Sequence, residues 1–526
     1  MIKLSFPNVQ EKPHIVKAKE IQVELLSQPV RYYRHGWQSW SLAAWTDPSP
    51  IPVQKPAMFH PLQIDAEHVH KKYLNGSWLG AVEFDDGNVL LLGALGTDAH
   101  VSLSQDHLPT TEILSGQSDA DEVEWFIAFG QEYVVFGEYA EALGSRLGRI
   151  KKDVAPRVWC SWYSLYHAIN ESLLGKIFKE LDTLPFDVLQ VDDGWQKDIG
   201  DWEANRKFPS GMLALAEKIR STGRKAGLWL APLIATRSST LFHQHPDWFL
   251  RREDGQLISA GFNWGEQLYA LDTTHPDVAT WLVALMKQVR AWGFNYIKLD
   301  FLYGGALKGK RFKDIPREAA YRECLQLLRN AMGTDAFFLT CGTPILPAIG
   351  ICDAMRIGPD VAYHWEKYHD AYLLYNPTIP GTRNAIRTTL HRLWLMPLLH
   401  IDPDVTYFES KNNSLTHEQR LLLQHLASIC DFKATSDLPQ WMTKTELDEL
   451  CSFLDAKPTI TRTGRYIYNV NDRMVDFTPA IELPEVPEGL IALWGRLVGW
   501  LGDRYFILRL YKILHLEKFR KRGSTL

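Results

Sequence analysis

The strongest constraint on the fold is an alternation of short apolar segments with longer helical patterns, which begins at Arg157. Candidate strands lie at residues 158–163, 187–191, 226–231, 296–301, 337–341, 353–357, 397–401 and 432–435. Candidate helices lie between them, at 171–184, 212–222, 277–292, 317–331, 383–393 and 418–429. This alternation is typical of a parallel sheet, because parallel strands need long crossover connections. Eight such strands predict an α/β protein built on a (β/α)8 TIM barrel.

The segments on either side of the barrel have different patterns of apolar and polar residues. Short apolar or alternating runs at 21–25, 88–93 and 122–129 predict an N-terminal β-sandwich. We therefore predict three regions: a sandwich domain over 1–150, the barrel over 151–456 and a short, atypical C-terminal region over 457–526. In the last region, 459–475 can form strands and 490–521 has a helical pattern. Its tail is basic, with Arg504, Arg509, Lys512, Lys518, Arg520, Lys521 and Arg522.

Composition narrows the classes of partner and compartment. The chain has 526 residues, is 23% charged and has a net charge of -5, which does not favour nucleic acid as a partner. Its six cysteines have no CxxC pairing, and the N-terminus has no long apolar run, so we predict a cytoplasmic protein. The 19 tryptophans fit a carbohydrate site, because the apolar faces of sugars pack on indole rings.

Charged residues follow three of the predicted barrel strands. Asp192 and Asp193 follow strand two, Lys298 and Asp300 end strand four, and strand six leads through Arg356 to Asp360. The carboxyl ends of barrel strands form one rim, where the active sites of TIM-barrel enzymes lie. The pattern therefore predicts a site of four carboxylates and two cations at this rim.

Seven short segments together resemble the α-galactosidases of glycoside hydrolase family 36, in the clan shared with family 27. They are Trp37-Gln-Ser-Trp40, Trp159-Cys-Ser-Trp-Tyr163, Val191-Asp-Asp193, Asp198-Ile-Gly-Asp-Trp202, Lys298-Leu-Asp-Phe301, Cys341-Gly-Thr-Pro344 and Met355-Arg-Ile-Gly-Pro-Asp360. Each is short, but their order and their positions at strand ends make the set specific. The resemblance covers the barrel and reaches into the N-terminal region.

The resemblance implies a retaining exo-α-galactosidase that acts on oligosaccharides of the melibiose and raffinose type by double displacement. Asp300 matches the family's nucleophile and Asp360 its acid/base residue. Asp192 and Asp193 match residues that bind the 4- and 6-hydroxyls of galactose. The galactose pocket is implied to be completed by Trp40, Trp162, Tyr163, Trp229, Lys298, Cys341 and Arg356. Two carboxylates suffice for this mechanism, so no metal or other cofactor is implied.

Structural alternatives stay open for individual residues. Asp192 and Asp193 can form a turn and a helix cap, and Cys341 can be a small core residue. Trp37 and Trp40 can instead belong to the sandwich core. Trp162, Tyr163 and Trp229 can instead be packing residues of the barrel.

The activity and the assembly also have alternatives. An α-galactosyltransferase, an α-N-acetylgalactosaminidase and a non-catalytic carbohydrate-binding protein fit the same scaffold. Family members commonly end in a C-terminal β-sandwich, whereas only about 70 residues follow the barrel here. The basic tail therefore suggests either peripheral contact with an anionic membrane or packing on the barrel or on another subunit of a homo-oligomer.

Overall fold

The computed structural model describes residues 1–6, 13–48, 65, 67, 73–105, 112–119, 121–152, 154–366 and 377–483, and positions 489–491, 493, 494 and 497. Most of the basic tail, and with it the prediction of membrane or subunit contact, lies outside the described residues. Within the described ranges, none of the helices combines the length and apolar character of a membrane span.

Two sheets form the N-terminal region, as the sequence predicts. The described strands are β1 (Ile2–Phe6), β2 (His14–Ala18), β3 (Glu20–Leu25), β4 (Arg31–His35), β5 (Ala43–Thr46), β6 (Tyr73–Ser77), β7 (Leu79–Glu83), β8 (Val89–Ala94), β9 (Ala99–Gln105), β10 (Glu112–Ser118) and β11 (Val123–Gly130). One sheet has the order β1-β3-β10-β9-β6 and the other β2-β11-β8-β7-β4-β5. Strands β1 and β3 are parallel, and the other paired neighbours are antiparallel.

Strand β8 shows how this region joins the rest of the molecule. Successive side chains of a strand point to opposite faces of the sheet. Leu90 and Leu92 therefore enter the core between the two sheets. Val89 and Leu91 enter a second core, which contains the helix Glu132–Leu147 and the interior of the barrel. The six-stranded sheet is thus buried on both faces, and its outer face packs towards the barrel.

Eight parallel strands form the barrel, and each lies within or overlaps a segment predicted from the sequence. They are Val158–Cys160, Val188–Val191, Lys225–Leu230, Phe294–Leu299, Phe337–Thr340, Ala354–Arg356, His400–Asp402 and Ala434–Thr435, numbered here as barrel strands one to eight. Strands one to seven pair in sequence order, and strand eight pairs with strand one. A parallel bridge between Thr406, just after strand seven, and Thr435 in strand eight closes the ring. The predicted TIM barrel with an N-terminal β-sandwich is confirmed.

Helices surround the barrel and connect its strands. The α-helices are Glu132–Leu147, Trp162–Leu165, Glu171–Glu180, Gly211–Arg220, Thr240–Gln244, Pro276–Trp292, Arg317–Met332, Ile345–Ala348, Thr382–Leu390, His417–Cys430, Lys444–Asp455 and Thr478–Ile481. Short 3-10 turns lie at Tyr166–Ala168, Leu181–Thr183, Pro246–Trp248, Leu302–Ala306, Leu393–Leu395 and Pro439–Trp441. The six helices predicted from periodicity all appear among them, with boundaries shifted by a few residues.

Several barrel strands are shorter than the predicted segments, and strands one and seven show the physical reason. Strand one ends at Cys160, and the chain then turns into the helix Trp162–Leu165, which carries Tyr163 towards the rim. Strand seven begins only at His400, because the chain is still in a turn at Pro397, which lacks the N–H that a central strand would use.

Small sheets extend from the barrel. A hairpin pairs Gln196–Asp198 with Asp201–Ala204. Between barrel strands three and four, Ile234–Thr236, Ser259–Asn263 and Glu266–Ala270 form a three-stranded antiparallel sheet. After the barrel, Ile460–Arg462, Ile467–Val470 and Arg473–Asp476 form another, in the segment predicted to contain strands. The limits of the three predicted domains stay a prediction.

Candidate active site

The predicted charged residues of strands two, four and six lie at the carboxyl end of the barrel. Asp192, Asp193, Lys298, Asp300 and Arg356 are all buried. Asp360 differs, because 37% of its side chain is exposed. The rim thus holds a buried charge cluster beside one carboxylate that is accessible to solvent.

Lys298 and Asp192 form a buried ion pair across the floor of this site. The Lys298 Nζ lies 3.0 Å from Asp192 Oδ2, and Gln190 donates its side-chain amide to the same oxygen at 2.6 Å. Burial acts to lower the pKa of Lys298, but the carboxylates of Asp192 and Asp300 outweigh it, and the pKa is raised well above its usual value. Lys298 therefore carries a positive charge beside both aspartates.

Asp300 is held through both of its carboxylate oxygens. Trp229 donates its indole N–H to Oδ2 at 2.9 Å, and the backbone N–H of Phe301 donates to Oδ1 at 2.8 Å. Burial raises the pKa of Asp300, whereas Lys298 and the Trp229 N–H oppose that rise. Phe301 has φ +52°, a left-handed conformation that is rare for a bulky side chain. The carboxylate is therefore fixed in one orientation at a strained strand end.

Arg356 connects Asp360 to a second carboxylate that the sequence analysis missed. Its Nη2 donates to Asp360 Oδ1 at 2.5 Å and to the Tyr163 hydroxyl at 2.8 Å. Its Nη1 lies 2.6 Å from Asp404 Oδ1, and Tyr163 donates its hydroxyl to the same carboxylate. Burial raises the pKa of Asp404 to about 7, with smaller contributions from Asp360 and Asp402 that Arg356 opposes.

Asp193 is held by two donors. Gln196 donates its side-chain amide to Oδ1 at 2.6 Å, and Trp264 donates its indole N–H to Oδ2 at 2.7 Å. Burial raises the pKa of Asp193. Sequence reasoning also missed Trp264, since it lies at the tip of a hairpin outside the barrel. The Asn263-Trp264-Gly265 turn was the available signal.

Trp40 reaches the rim from the N-terminal region. Its ring packs edge-on against Phe301 at 5.1 Å and Tyr303 at 5.9 Å. A methyl group at Gly342, where φ is +54°, would come within 3.1 Å of the Trp40 ring. The loop that carries Trp40 is bound to the barrel, because Ser39 donates its N–H to the Thr343 carbonyl at 2.9 Å.

Arg392 reinforces the same connection. Its guanidinium is fully buried and donates to the carbonyls of Ser39 at 2.7 Å and Ile357 at 2.9 Å. It further donates to the Gly36 and Gln38 carbonyls. One side chain thus ties the loop of Trp40 to the segment that leads to Asp360.

The remaining predicted residues differ in how close they lie to the charges. Cys341 is buried, and its thiol opposes the rise that burial causes in the pKa of Asp300. Trp229 contacts Asp300 directly, as described above. Trp162 is half-buried and packs edge-on against Tyr166 at 5.1 Å, one residue before Tyr163.

The chain is similar to known proteins in both sequence and structure. The family model described as Melibiase matches residues 137–331. The α-galactosidase TtGalA from Thermus thermophilus, solved with p-nitrophenyl α-D-galactopyranoside, is 42% identical, and the match covers 89% of this chain and 94% of TtGalA with a TM-score of 0.81. Its complex with stachyose matches at 43% identity over 84% of this chain and 93% of the other, with a TM-score of 0.76.

This chain belongs to glycoside hydrolase family 36. AgaA from Geobacillus stearothermophilus, a family 36 α-galactosidase, shares the fold at 16% identity and a TM-score of 0.58, over 82% of this chain and 61% of AgaA. In sequence, AgaA is 28% identical over an alignment of 208 residues, and the match covers 36% of this chain and 27% of AgaA. The match thus spans about a quarter of this curated relative.

Proposed function

We propose that this family 36 protein is a retaining exo-α-galactosidase, with Asp300 as the nucleophile and Asp360 as the acid/base residue. The observation that carries the proposal is the contrast between these two carboxylates. Asp300 is buried and held by two N–H donors under the influence of the Lys298 cation, whereas Asp360 is partly exposed and bound to Arg356. A double displacement needs this division between a fixed nucleophile and a proton donor that reaches the leaving group.

The chemistry follows from the surroundings of each group. Lys298 and the two N–H donors favour the ionised form of Asp300, which attacks the anomeric carbon. Asp360 donates a proton to the departing oxygen and then takes one from the water that releases the sugar. Tyr163 and Arg356 hold Asp360 and Asp404 in one network, so the position of the proton donor is fixed by its neighbours.

The proposed substrates are terminal α-galactosyl groups of the melibiose and raffinose type. TtGalA was solved with p-nitrophenyl α-D-galactopyranoside and with stachyose, which supports this substrate class. Asp192 and Asp193 supply buried acceptors for the 4- and 6-hydroxyls in this proposal. An acceptor built for the axial 4-hydroxyl is left unpaired by a glucoside, which gives a physical basis for discrimination.

Cytoplasmic localisation and a homo-oligomeric state also belong to this proposal. All six cysteines are unpaired, and five of them are buried, which fits a reducing compartment. Neither feature is required for the chemistry of the barrel.

The test uses p-nitrophenyl α-galactoside with wild-type protein, Asp300→Gly and Asp360→Gly. We expect the wild type to turn over, and we expect kcat to fall by at least about a thousandfold in each variant. Added azide should rescue both and give galactosyl azides of opposite anomeric configuration. The same azide anomer from both variants would contradict the assigned roles, and an inactive wild type would contradict the activity. Release only onto an added sugar acceptor would instead support the transferase.

A further inference from the structure

The tip of the hairpin between barrel strands three and four approaches the charged site. The hairpin strands Ser259–Asn263 and Glu266–Ala270 flank Trp264, whose φ is +49°. The side-chain oxygen of Asn263 accepts a hydrogen bond from the backbone N–H of Trp264 at 2.7 Å. A bulky residue persists in this conformation only where its surroundings hold it there. The hairpin therefore presents Trp264 in a defined place.

The indole N–H of Trp264 donates a hydrogen bond to the carboxylate of Asp193. It donates to Asp193 Oδ2 at 2.7 Å, while Gln196 occupies Oδ1. Each carboxylate oxygen accepts more than one hydrogen bond, so both keep capacity for a sugar hydroxyl. Loss of the indole N–H would remove one of the two side-chain donors that orient Asp193.

The ring of Trp264 belongs to a row of aromatic side chains. It contacts Trp229 at 6.1 Å and Phe301 at 5.1 Å between ring centroids, and Phe301 contacts Trp40 at 5.1 Å. We call Trp264, Phe301 and Trp40 the aromatic rim. All three are half-buried, whereas Trp229, Asp193 and Asp300 below them are buried.

This difference in exposure separates two parts of a substrate. In an exo-acting enzyme the terminal sugar occupies the deep part of the pocket, and the leaving group remains at its mouth. Buried carboxylates suit the hydroxyls of the terminal sugar. Exposed aromatic faces suit the C–H face of a second sugar or an aryl ring.

We propose that Trp264 determines leaving-group specificity through its ring and positions Asp193 through its indole N–H. The inference rests on the proposed function, because it takes Asp193 as a ligand of the terminal sugar. Trp264 therefore serves both parts of the substrate, and its two contributions are separable by substitution. Phenylalanine keeps a ring and removes the N–H, whereas leucine removes both.

The experiment measures kcat/KM of wild type, Trp264→Phe and Trp264→Leu on three α-galactosides. α-Galactosyl fluoride has no ring in its leaving group, p-nitrophenyl α-galactoside has an aryl ring, and melibiose has a sugar. Trp281→Phe and Trp281→Leu are matched controls, because Trp281 is half-buried on the helix Pro276–Trp292 and packs on Trp248. Inhibition by galactose reports binding of the terminal sugar alone.

The two variants should differ in a defined way. The kcat/KM of Trp264→Phe should fall about tenfold on all three substrates, because one hydrogen bond to a charged group is lost. Its inhibition by galactose should weaken in parallel. The kcat/KM of Trp264→Leu should fall by the same factor on the fluoride. It should fall by a further factor of about three to ten on the two substrates that have a ring in the leaving group.

Each other outcome contradicts a stated part of the inference. Equal losses of Trp264→Leu on all three substrates would overturn the leaving-group role. Unchanged kinetics and galactose inhibition in Trp264→Phe would overturn the positioning of Asp193. An inactive wild type would contradict the proposed function, whereas an active wild type with unaffected variants would contradict only the role of Trp264.

Discussion

The guanidinium of Arg356 lies 2.6 Å from the carboxylate of Asp404, and both groups are almost fully buried. The same guanidinium binds Asp360 through its other terminal nitrogen. The charge of Arg356 is therefore divided between the proposed proton donor and a carboxylate behind it. Asp404 also accepts the hydroxyl of Tyr163 and the backbone N–H of Val361.

This arrangement predicts an effect of Asp404→Asn on the pH profile. The variant removes a negative charge that faces Arg356, Tyr163, Asp360 and Asp402. Asparagine cannot ionise, so the change in kcat/KM that accompanies ionisation of Asp404 near pH 7 should be absent from the variant. The profile is measured with p-nitrophenyl α-galactoside. Asp182→Asn, at an exposed carboxylate that pairs with the largely buried Arg224, is the control. A variant that keeps the wild-type dependence of kcat/KM on pH around 7 would refute this role of Asp404.

Removal of Lys298 should separate its contribution to stability from its contribution to catalysis. Lys298→Met leaves Asp192 buried without its cation, which should lower the free energy of unfolding by about 3–5 kcal/mol. It also raises the pKa of Asp300, so kcat/KM should fall by at least about a hundredfold, with an acid limb at higher pH.

The double variant Lys298→Met/Asp192→Asn distinguishes the two effects of Lys298. It should regain much of the stability, because the unpaired charge is gone, but it should not regain activity. Denaturant unfolding and steady-state kinetics measure the two effects. Recovery of both together would show that Lys298 acts through folding alone.

Glu318 should make the stability of the protein depend on pH. It is buried beside Arg317 and accepts the indole N–H of Trp37, and burial raises its pKa to about 7. A raised folded-state pKa contributes stability that is fully present below the unfolded value near 4.5. That contribution is lost as pH rises through about 7. Unfolding should therefore become easier between pH 5 and about 8, by about 1–3 kcal/mol.

Glu318→Gln should remove this dependence while keeping an acceptor for Trp37. Between pH 5 and about 8, the melting temperature of the wild type should fall more steeply than that of the variant. Asp335→Asn, at an exposed ion pair with Arg290, should leave the slope between pH 5 and about 8 unchanged. A variant that keeps the wild-type slope would show that another group is responsible.

Deletion of residues 489–526 tests the prediction for the basic tail. Leu490, Leu493 and Trp494 are exposed at its start, and eight arginine and lysine residues follow. We expect kcat/KM to stay within about twofold, because the deletion removes no residue of the site. Elution in gel filtration or sedimentation with anionic liposomes should change. No change in either would refute a role in association or membrane binding.

The sequence predicted the barrel because strand and helix patterns have different periods and alternate along one chain. It also located the charged residues at the rim, because these follow directly on apolar strands. Asp404 and Trp264 were missed for a common reason. Each lies beyond a regular element, and each is brought to the site by a backbone with positive φ, at +80° and +49°. Periodicity carries no information about such turns, and only the folded chain brings them to Arg356 and Asp193.

The interface between the two regions was also beyond the sequence analysis. Trp37 was a candidate for the sandwich core, but its indole binds Glu318 on a barrel helix. Arg392 shows the same limitation, because its partners are carbonyl groups that every residue possesses. Contacts between distant segments are set by the packing of whole layers rather than by local pattern.

The central claim is tested most directly by time-resolved NMR of the wild-type protein with p-nitrophenyl α-galactoside, beside Asp300→Ala and with the α-glucoside as control. Our account predicts that α-galactose appears first and then mutarotates, that the variant releases none, and that the glucoside is untouched. First release of β-galactose, or release by Asp300→Ala at the wild-type rate, would contradict the two-aspartate retaining mechanism.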